Sequence, residues 1–116
     1  LVINVKMAVP TQGDRGLRDR VADIFARAPY FTLVTVENGS ITDKKVIQNK
    51  ASEMKQGAGP LAARTLKDNG VDVLLSCEIG PGATSVLETI GIKIGGVTQD
   101  EKVKDAVERY LTQLQA

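Results

Sequence analysis

Apolar positions along the chain change period several times, and each change marks an element. Val2 to Val9 is rich in β-branched residues and alternates only loosely, the pattern of a buried strand, and Pro10 is expected to end it. Thr11 to Gly16 is a polar loop punctuated by glycine. Leu17, Val21, Ile24 and Phe25 then fall at helical spacing and predict a short amphipathic helix that stops before Pro29. Tyr30 to Glu37 reads as a strand, with Phe31, Leu33 and Val34 apolar and Thr32 and Thr35 favouring extended backbone. Asn38-Gly39 predicts a tight hairpin, so Ile41 to Ile47 should return antiparallel. From Gln48 to Gly59 the pattern dissolves into the longest irregular stretch, and long loops in compact domains often carry function.

The second half repeats itself. Gly59-Pro60-Leu61-Ala62, Leu66 and Gly70-Val71-Asp72-Val73 recur 21 residues later as Gly80-Pro81-Gly82-Ala83, Leu87 and Gly91-Ile92-Lys93-Ile94. Each copy is expected to place proline at the first helical position, where its missing N–H costs nothing, and glycine just past the helix end. Each then runs into a β-branched strand. Ala83, Val86, Leu87 and Ile90 form the inner face of the second copy's helix. Two copies make successive helix–strand units rather than a solenoid, which needs about three. Thr98 and Glu101 form a capping box expected to open the last helix, with Val103, Val107, Leu111 and Leu114 as its buried stripe.

These elements run β-α-β-β-α-β-α-β-α. The first strand belongs in the sheet interior, because apart from Lys6 it has no charged position. The hairpin returns the third strand to the direction of the first, and right-handed crossovers lay the fourth and fifth parallel to both. The predicted fold is therefore α/β: a mixed five-stranded sheet of order 3-2-1-4-5 with strand 2 antiparallel, in a single domain over residues 1–116. That order is the one found in the three-layer ribonuclease H-like motif. It reverses direction between strands 1 and 4, and ligands bind beyond the carboxyl ends of strands at such switch points. Three loops leave that edge: Pro10 to Gly16, Gln48 to Gly59 and Cys77 to Gly82.

Composition narrows the function. A chain of 116 residues with 42% hydrophobic positions fits one domain with a real core. A net charge of +1 gives no reason to invoke nucleic acid or an anionic membrane, and 3% aromatic residues provide no stacking platform for single strands. One cysteine, Cys77, rules out an internal disulfide and suits a reducing, cytoplasmic compartment. No apolar run approaches the roughly 18 residues of a membrane span. Leu1 to Pro10 carries Lys6 and no small-residue cleavage site, so it reads as a strand and not as a signal peptide. Histidine is absent, which removes the commonest general base and the commonest metal ligand together.

The candidate chemistry lies at the two glycine-rich helix starts, Gly57-Ala58-Gly59-Pro60 and Gly80-Pro81-Gly82-Ala83. Facing one crevice, they offer unpaired backbone N–H groups and two positive dipole ends to an anion. Taken singly, each is read first as a tight turn and cap; the two in register beside an irregular loop bring the anion site level with that reading. Cys77, just before the second turn, is either a packed structural thiol or a thiolate favoured by the helix start and able to hold a soft metal. Met54, in the long loop, is either packing or a second soft donor for copper or a sulfur-rich cluster. Arg15, Arg18, Arg20 and Arg27 make a solvated face by default, and those lining the crevice would neutralise an anion. A nuclease of ribonuclease H type is rejected, because Val2 to Val9 contains no carboxylate to hold the two metal ions.

The segments Phe25-Ala26-Arg27-Ala28-Pro29-Tyr30-Phe31, Gly57-Ala58-Gly59-Pro60 and Ile79-Gly80-Pro81-Gly82-Ala83 resemble the nitrogenase iron–molybdenum cofactor accessory family. The likeness runs from about Val5 to Leu114, with the motifs in the family's order and spacing. It implies a ribonuclease H-like fold without nuclease activity, in a protein that carries, protects or delivers iron–molybdenum cofactor or its iron–sulfur precursor. Some relatives bind a molybdenum–copper sulfide cluster without covalent ligands. Where the family often has histidine before its Gly-Ala-Gly turn, this chain has Gln56, so ligation through imidazole is excluded and non-covalent capture or anchoring by Cys77 remains.

The nominated cofactor-binding residues are thus Gln56, Gly57, Ala58, Gly59, Cys77, Ile79, Gly80, Gly82, Arg15 and Arg27, with Cys77 and Met54 as metal donors. The expected function is a non-catalytic carrier of an Fe–Mo–S or Mo–Cu–S cluster, working with a cluster-donor or acceptor protein. A regulatory or scaffolding module binding a protein or small anion is the alternative, and an enzyme using Cys77 the third.

Overall fold

Strands β1 (Val5–Thr11), β2 (Tyr30–Glu37), β3 (Ser40–Gln48), β4 (Val73–Ser76) and β5 (Lys93–Gly96) form one five-stranded sheet in the order β3-β2-β1-β4-β5. This is a computed structural model, and it describes residues 3–115. β2 is antiparallel to β1 and β3, whereas β4 is parallel to β1 and β5 parallel to β4, as the hairpin and crossover rules predict. Helices α1 (Ala58–Asp68) and α2 (Pro81–Thr89) cover one face and α3 (Val103–Gln115) the other, giving the three layers of the ribonuclease H-like motif.

Alternation along each strand builds two cores. Ala8, Phe31, Leu33 and Leu74 pack with Ala62, Ala63, Leu66 and Leu87 on the α1/α2 side. Met7, Val9, Val34, Val73 and Leu75 pack with Val103, Val107 and Leu111 on the α3 side. Leu114 does not complete the predicted stripe and is 40% exposed.

The repeat survives in three dimensions. Gly70 and Gly91 adopt φ of 72° and 83°, and the N–H groups of Val71 and Ile92 reach back to the carbonyls of Leu66 and Leu87, so both helices end in the same left-handed glycine motif. Their starts differ. Pro81 is the first residue of α2 as expected, but α1 begins at Ala58, so Pro60 is its third residue. Even there its nitrogen belongs to the first turn, where no intrahelical bond is lost.

Three boundaries correct the sequence reading. The predicted β1 began at Val2, which lies outside the described residues, and the strand runs through Pro10 to Thr11 instead of stopping. Beyond Ala8 its neighbour on one side changes from β4 to residues 20–22: Ala22 donates to the Pro10 carbonyl and Gln12 to the Arg20 carbonyl. Pro10 is asked only to accept, so its missing N–H goes unnoticed.

The helix predicted from Leu17 to Phe25 is a single 3-10 turn, Gly16–Arg18, followed by irregular backbone. The last helix begins at Val103 and not beside Thr98. The capping-box bond exists, with the Glu101 carboxylate accepting from the Thr98 N–H at 3.1 Å, but it closes a turn ahead of the helix. No helix among the described residues is long and apolar enough to cross a membrane.

Candidate functional site

The segment after the 3-10 turn is a strap laid over the carboxyl edge of the sheet. A helix there would use its N–H groups locally, but these go to distant partners: Val21 to Glu101, Ala22 to Pro10, and Phe25 to Glu78, while Glu78 donates back to Asp23. Asp19, 1% exposed, anchors its start by accepting from the N–H groups of Arg15 (2.9 Å) and Arg20 (2.7 Å). Burial alone would push the Asp19 carboxyl up. The two N–H bonds and the Arg15 guanidinium outweigh it and hold the group below its ordinary range. The strap crosses between layers, sending Val21 into the α3-side core and Phe25 into the other. Ile24 is left 41% exposed over the gap between the strap and the helices.

That gap is a groove of about 320 Å³ lined by Ile24, Ala26, Arg27, Gly57, Ala58, Gly59, Pro60, Gly80, Gly82 and Ala83. Its floor is set where α1 and α2 touch, since a Cβ on Gly59 would lie 2.9 Å from the Ala83 Cβ. Gly57 turns into α1 with φ of 75°, a left-handed conformation that favours glycine. Nothing lies within 4 Å of where side chains on Gly80 and Gly82 would begin, so this wall is open. The first N–H groups of both helices have no intrahelical acceptor, and the dipole ends add positive potential. Arg27 is the one charged side chain among the lining residues; it also donates to the carbonyls of Ser52 and Met54, tying the strap to the long loop.

Five of the nominated glycine-turn residues, Gly57, Ala58, Gly59, Gly80 and Gly82, therefore meet with Arg27 in one groove. Met54 stands at the rim, its Cε 3.9 Å from the Cβ position of Gly57, and Gln56 is exposed just ahead of that turn. Ile79 is partly buried against the α1/α2-side core. Arg15 is outside the groove lining, 64% exposed and paired with Asp19 at 3.6 Å.

Cys77 turns away. It packs with the α3-side core, and its thiol donates to the Val97 carbonyl at 3.6 Å. Burial first, then the carboxylates of Asp23, Glu101 and Asp100, push its pKa up, opposite to the lowering expected from a helix start. The reason is pleat parity. Leu74 faces α1 and α2, Leu75 faces α3, and Cys77 continues on the side of Leu75.

Asn49 carried no signal in the sequence reading beyond being an asparagine at the start of an irregular stretch. It is 3% exposed and accepts from the Ala51 N–H while donating to the carbonyls of Ala26 and Ala28. Ser76 was also missed. It is buried at the carboxyl end of β4, and its hydroxyl is without a partner among the described residues.

The fold and groove define a class: a three-layer α/β protein with a groove between two helix starts at the carboxyl edge of its sheet, lined without a carboxylate. The chain belongs to the dinitrogenase iron-molybdenum cofactor family, whose pattern matches residues 4–113. It is 32% identical over 110 residues to an uncharacterised protein of Methanocaldococcus jannaschii, spanning 92% of this chain and 89% of that protein. Among solved structures it is similar to the apo form of the orange protein from Desulfovibrio gigas, with a TM-score of 0.85, 31% identity, and 97% and 92% of the two chains covered. A Thermotoga protein solved by NMR has a TM-score of 0.75 at 28% identity, over 91% of this chain and 86% of that one.

Proposed function

We propose that this protein is a non-catalytic carrier of an anionic metal–sulfur cluster, held without covalent ligands in the groove between the starts of α1 and α2. The carrying observation is the composition of that groove: two helix starts and one guanidinium, with walls of glycine, alanine, proline and isoleucine and no carboxylate. Amide donors set in apolar walls suit a large, weakly hydrated, sulfide-rich anion. Helix-start amides also bind small oxyanions, so it is the glycine, alanine, proline and isoleucine walls that favour the larger anion. Iron–molybdenum cofactor, its precursor and a molybdenum–copper sulfide cluster all have this character.

Membership of the cofactor family and the likeness to the orange protein support the same reading. Among the described residues no group of three or more Cys, Asp and Glu is placed to chelate a bare metal ion, and the groove's amides and Arg27 would meet the cluster's sulfide surface. Gly57, Ala58, Gly59, Gly80, Gly82 and Arg27 would touch the cluster, with Gln56 and Met54 at the rim. The open wall at Gly80 and Gly82 leaves a bound cluster exposed to a donor or acceptor protein. The absence of histidine and the raised Cys77 thiol support a role without catalysis.

The test is anaerobic titration with tetrathiomolybdate, with and without copper(I), followed by gel filtration and metal analysis. Retention of about one cluster per chain, weakened by salt, is expected. A colourless, metal-free protein under both conditions would sink the reading for thiomolybdate-based clusters.

A further inference from the structure

We infer that Asn49 is a positioning residue that fixes the Arg27 guanidinium at the groove; its consequence for affinity rests on the anion-binding reading above. Asn49 lies outside the groove lining, yet it controls both ends of Arg27. Its side-chain amide donates to the carbonyls of Ala26 (3.0 Å) and Ala28 (2.9 Å), the two residues flanking Arg27, and so clamps the backbone from which the arginine projects. Its own N–H donates to the Pro29 carbonyl at 2.9 Å, extending the clamp along the same loop.

The other end is held by the same residue. The Asn49 side-chain oxygen accepts from the Ala51 N–H at 3.1 Å, and its backbone carbonyl accepts from the Ser52 N–H at 3.1 Å. These bonds form the 3-10 turn Lys50–Glu53, which aims the carbonyls of Ser52 and Met54 at Arg27. The circuit is closed: Asn49 fixes the arginine's backbone and the acceptors that receive its guanidinium.

A long, flexible side chain pays a large entropic cost to be held in one place. Here the fold meets that cost before any ligand arrives. At 3% exposure, the asparagine is also shielded from water that would compete for its bonds. Of the common side chains, an amide of this length supplies two donors and an acceptor at once; aspartate would set a carboxylate against two carbonyls.

The experiment compares tetrathiomolybdate affinity in the unaltered chain, Asn49→Ala, Arg27→Gln and the double variant. Each single variant should bind roughly tenfold more weakly, and the double variant no more weakly than Arg27→Gln alone. Additive losses, or full affinity in Asn49→Ala, would overturn the inference. The Arg27 Nη–H signal in low-temperature NMR spectra of the ligand-free protein reports the bonds to Ser52 and Met54 and gives a readout that does not need the ligand. It should move and exchange faster with solvent in Asn49→Ala, and an unmoved signal overturns the inference too. Asn49→Ser, which keeps an oxygen for the Ala51 N–H but cannot bridge two carbonyls, serves if Asn49→Ala does not fold. If the unaltered chain retains no tetrathiomolybdate, the carrier reading falls by itself while the NMR comparison still decides the role of Asn49.

Discussion

Gly59 of α1 and Ala83 of α2 meet at the floor of the groove, where a Cβ on Gly59 would stand 2.9 Å from the Ala83 Cβ. Neither atom is the end of a flexible side chain, so the helices themselves would have to part. Gly59→Ala gains about 1 kcal/mol of helix propensity but incurs an overpacking cost of about 1–3 kcal/mol, and a net loss of stability is expected in urea unfolding. Adding Ala83→Gly should recover much of the loss, because it removes the opposing methyl. A Gly59→Ala variant more stable than the parent would show that the helices separate freely.

Gly82 is the contrasting case. It is helical, and nothing lies within 4 Å of its Cβ position. Gly82→Ala should therefore raise stability by about 0.5–1 kcal/mol, seen as a higher melting temperature. Gly82→Leu keeps the backbone compatible but fills the groove. Its tetrathiomolybdate retention should fall by about tenfold or more without loss of stability. Undiminished retention would move the binding site elsewhere.

Ser76 has a buried hydroxyl without a hydrogen-bond partner among the described residues. Burying such a group costs free energy that no bond offsets, so Ser76→Ala should stabilise the chain by about 1 kcal/mol in urea unfolding. A destabilised variant would mean that the hydroxyl is paired in solution.

Glu101 accepts hydrogen bonds from Arg109 and from the Thr98 N–H, and the Arg109 bonds foremost hold its carboxyl below the ordinary 4.5. Asp19 is likewise held below 3.8 despite its burial. A lowered carboxyl favours the folded state fully above its unfolded pKa, and the contribution is lost as pH falls through the folded one. Stability should be flat above about pH 5 in respect of these groups and decline progressively below it. Arg109→Gln should reduce the acid-side slope, and an unchanged slope would remove Glu101 from the account.

Cys77 should behave as a protected thiol. Its pKa is raised above the ordinary 9.0, so alkylation by iodoacetamide at pH 8 should be slower than that of a free thiol. Cys77→Ala should leave tetrathiomolybdate retention unchanged, because the side chain faces the α3 layer. A loss of retention would restore the thiol as a ligand.

The β2–β3 hairpin shows what could be read locally. Its left-handed Asn38 and Gly39, at φ of 53° and 78°, follow from a dipeptide, and alternation then sets which strand residues enter which core. The glycine turns could be read in the same way, because left-handed and close-packed positions exclude most other residues. The residues from 19 to 25 could not. Their apolar spacing is helical, but the N–H groups of Val21, Ala22 and Phe25 are claimed by Glu101, Pro10 and Glu78.

Sequence alone determined the strand order, the two helix–strand units and the crevice at the carboxyl edge, through period and turn chemistry, which act over a few residues at a time, and the handedness of crossovers. The family came from the likeness of three short motifs. Tertiary structure alone decided that Pro10 sits inside a strand, that Cys77 faces away from the glycine turns, and that Asn49 holds Arg27. Each of these depends on hydrogen bonds or packing between segments distant along the chain, and a periodic pattern carries no record of which distant partner a backbone group will meet.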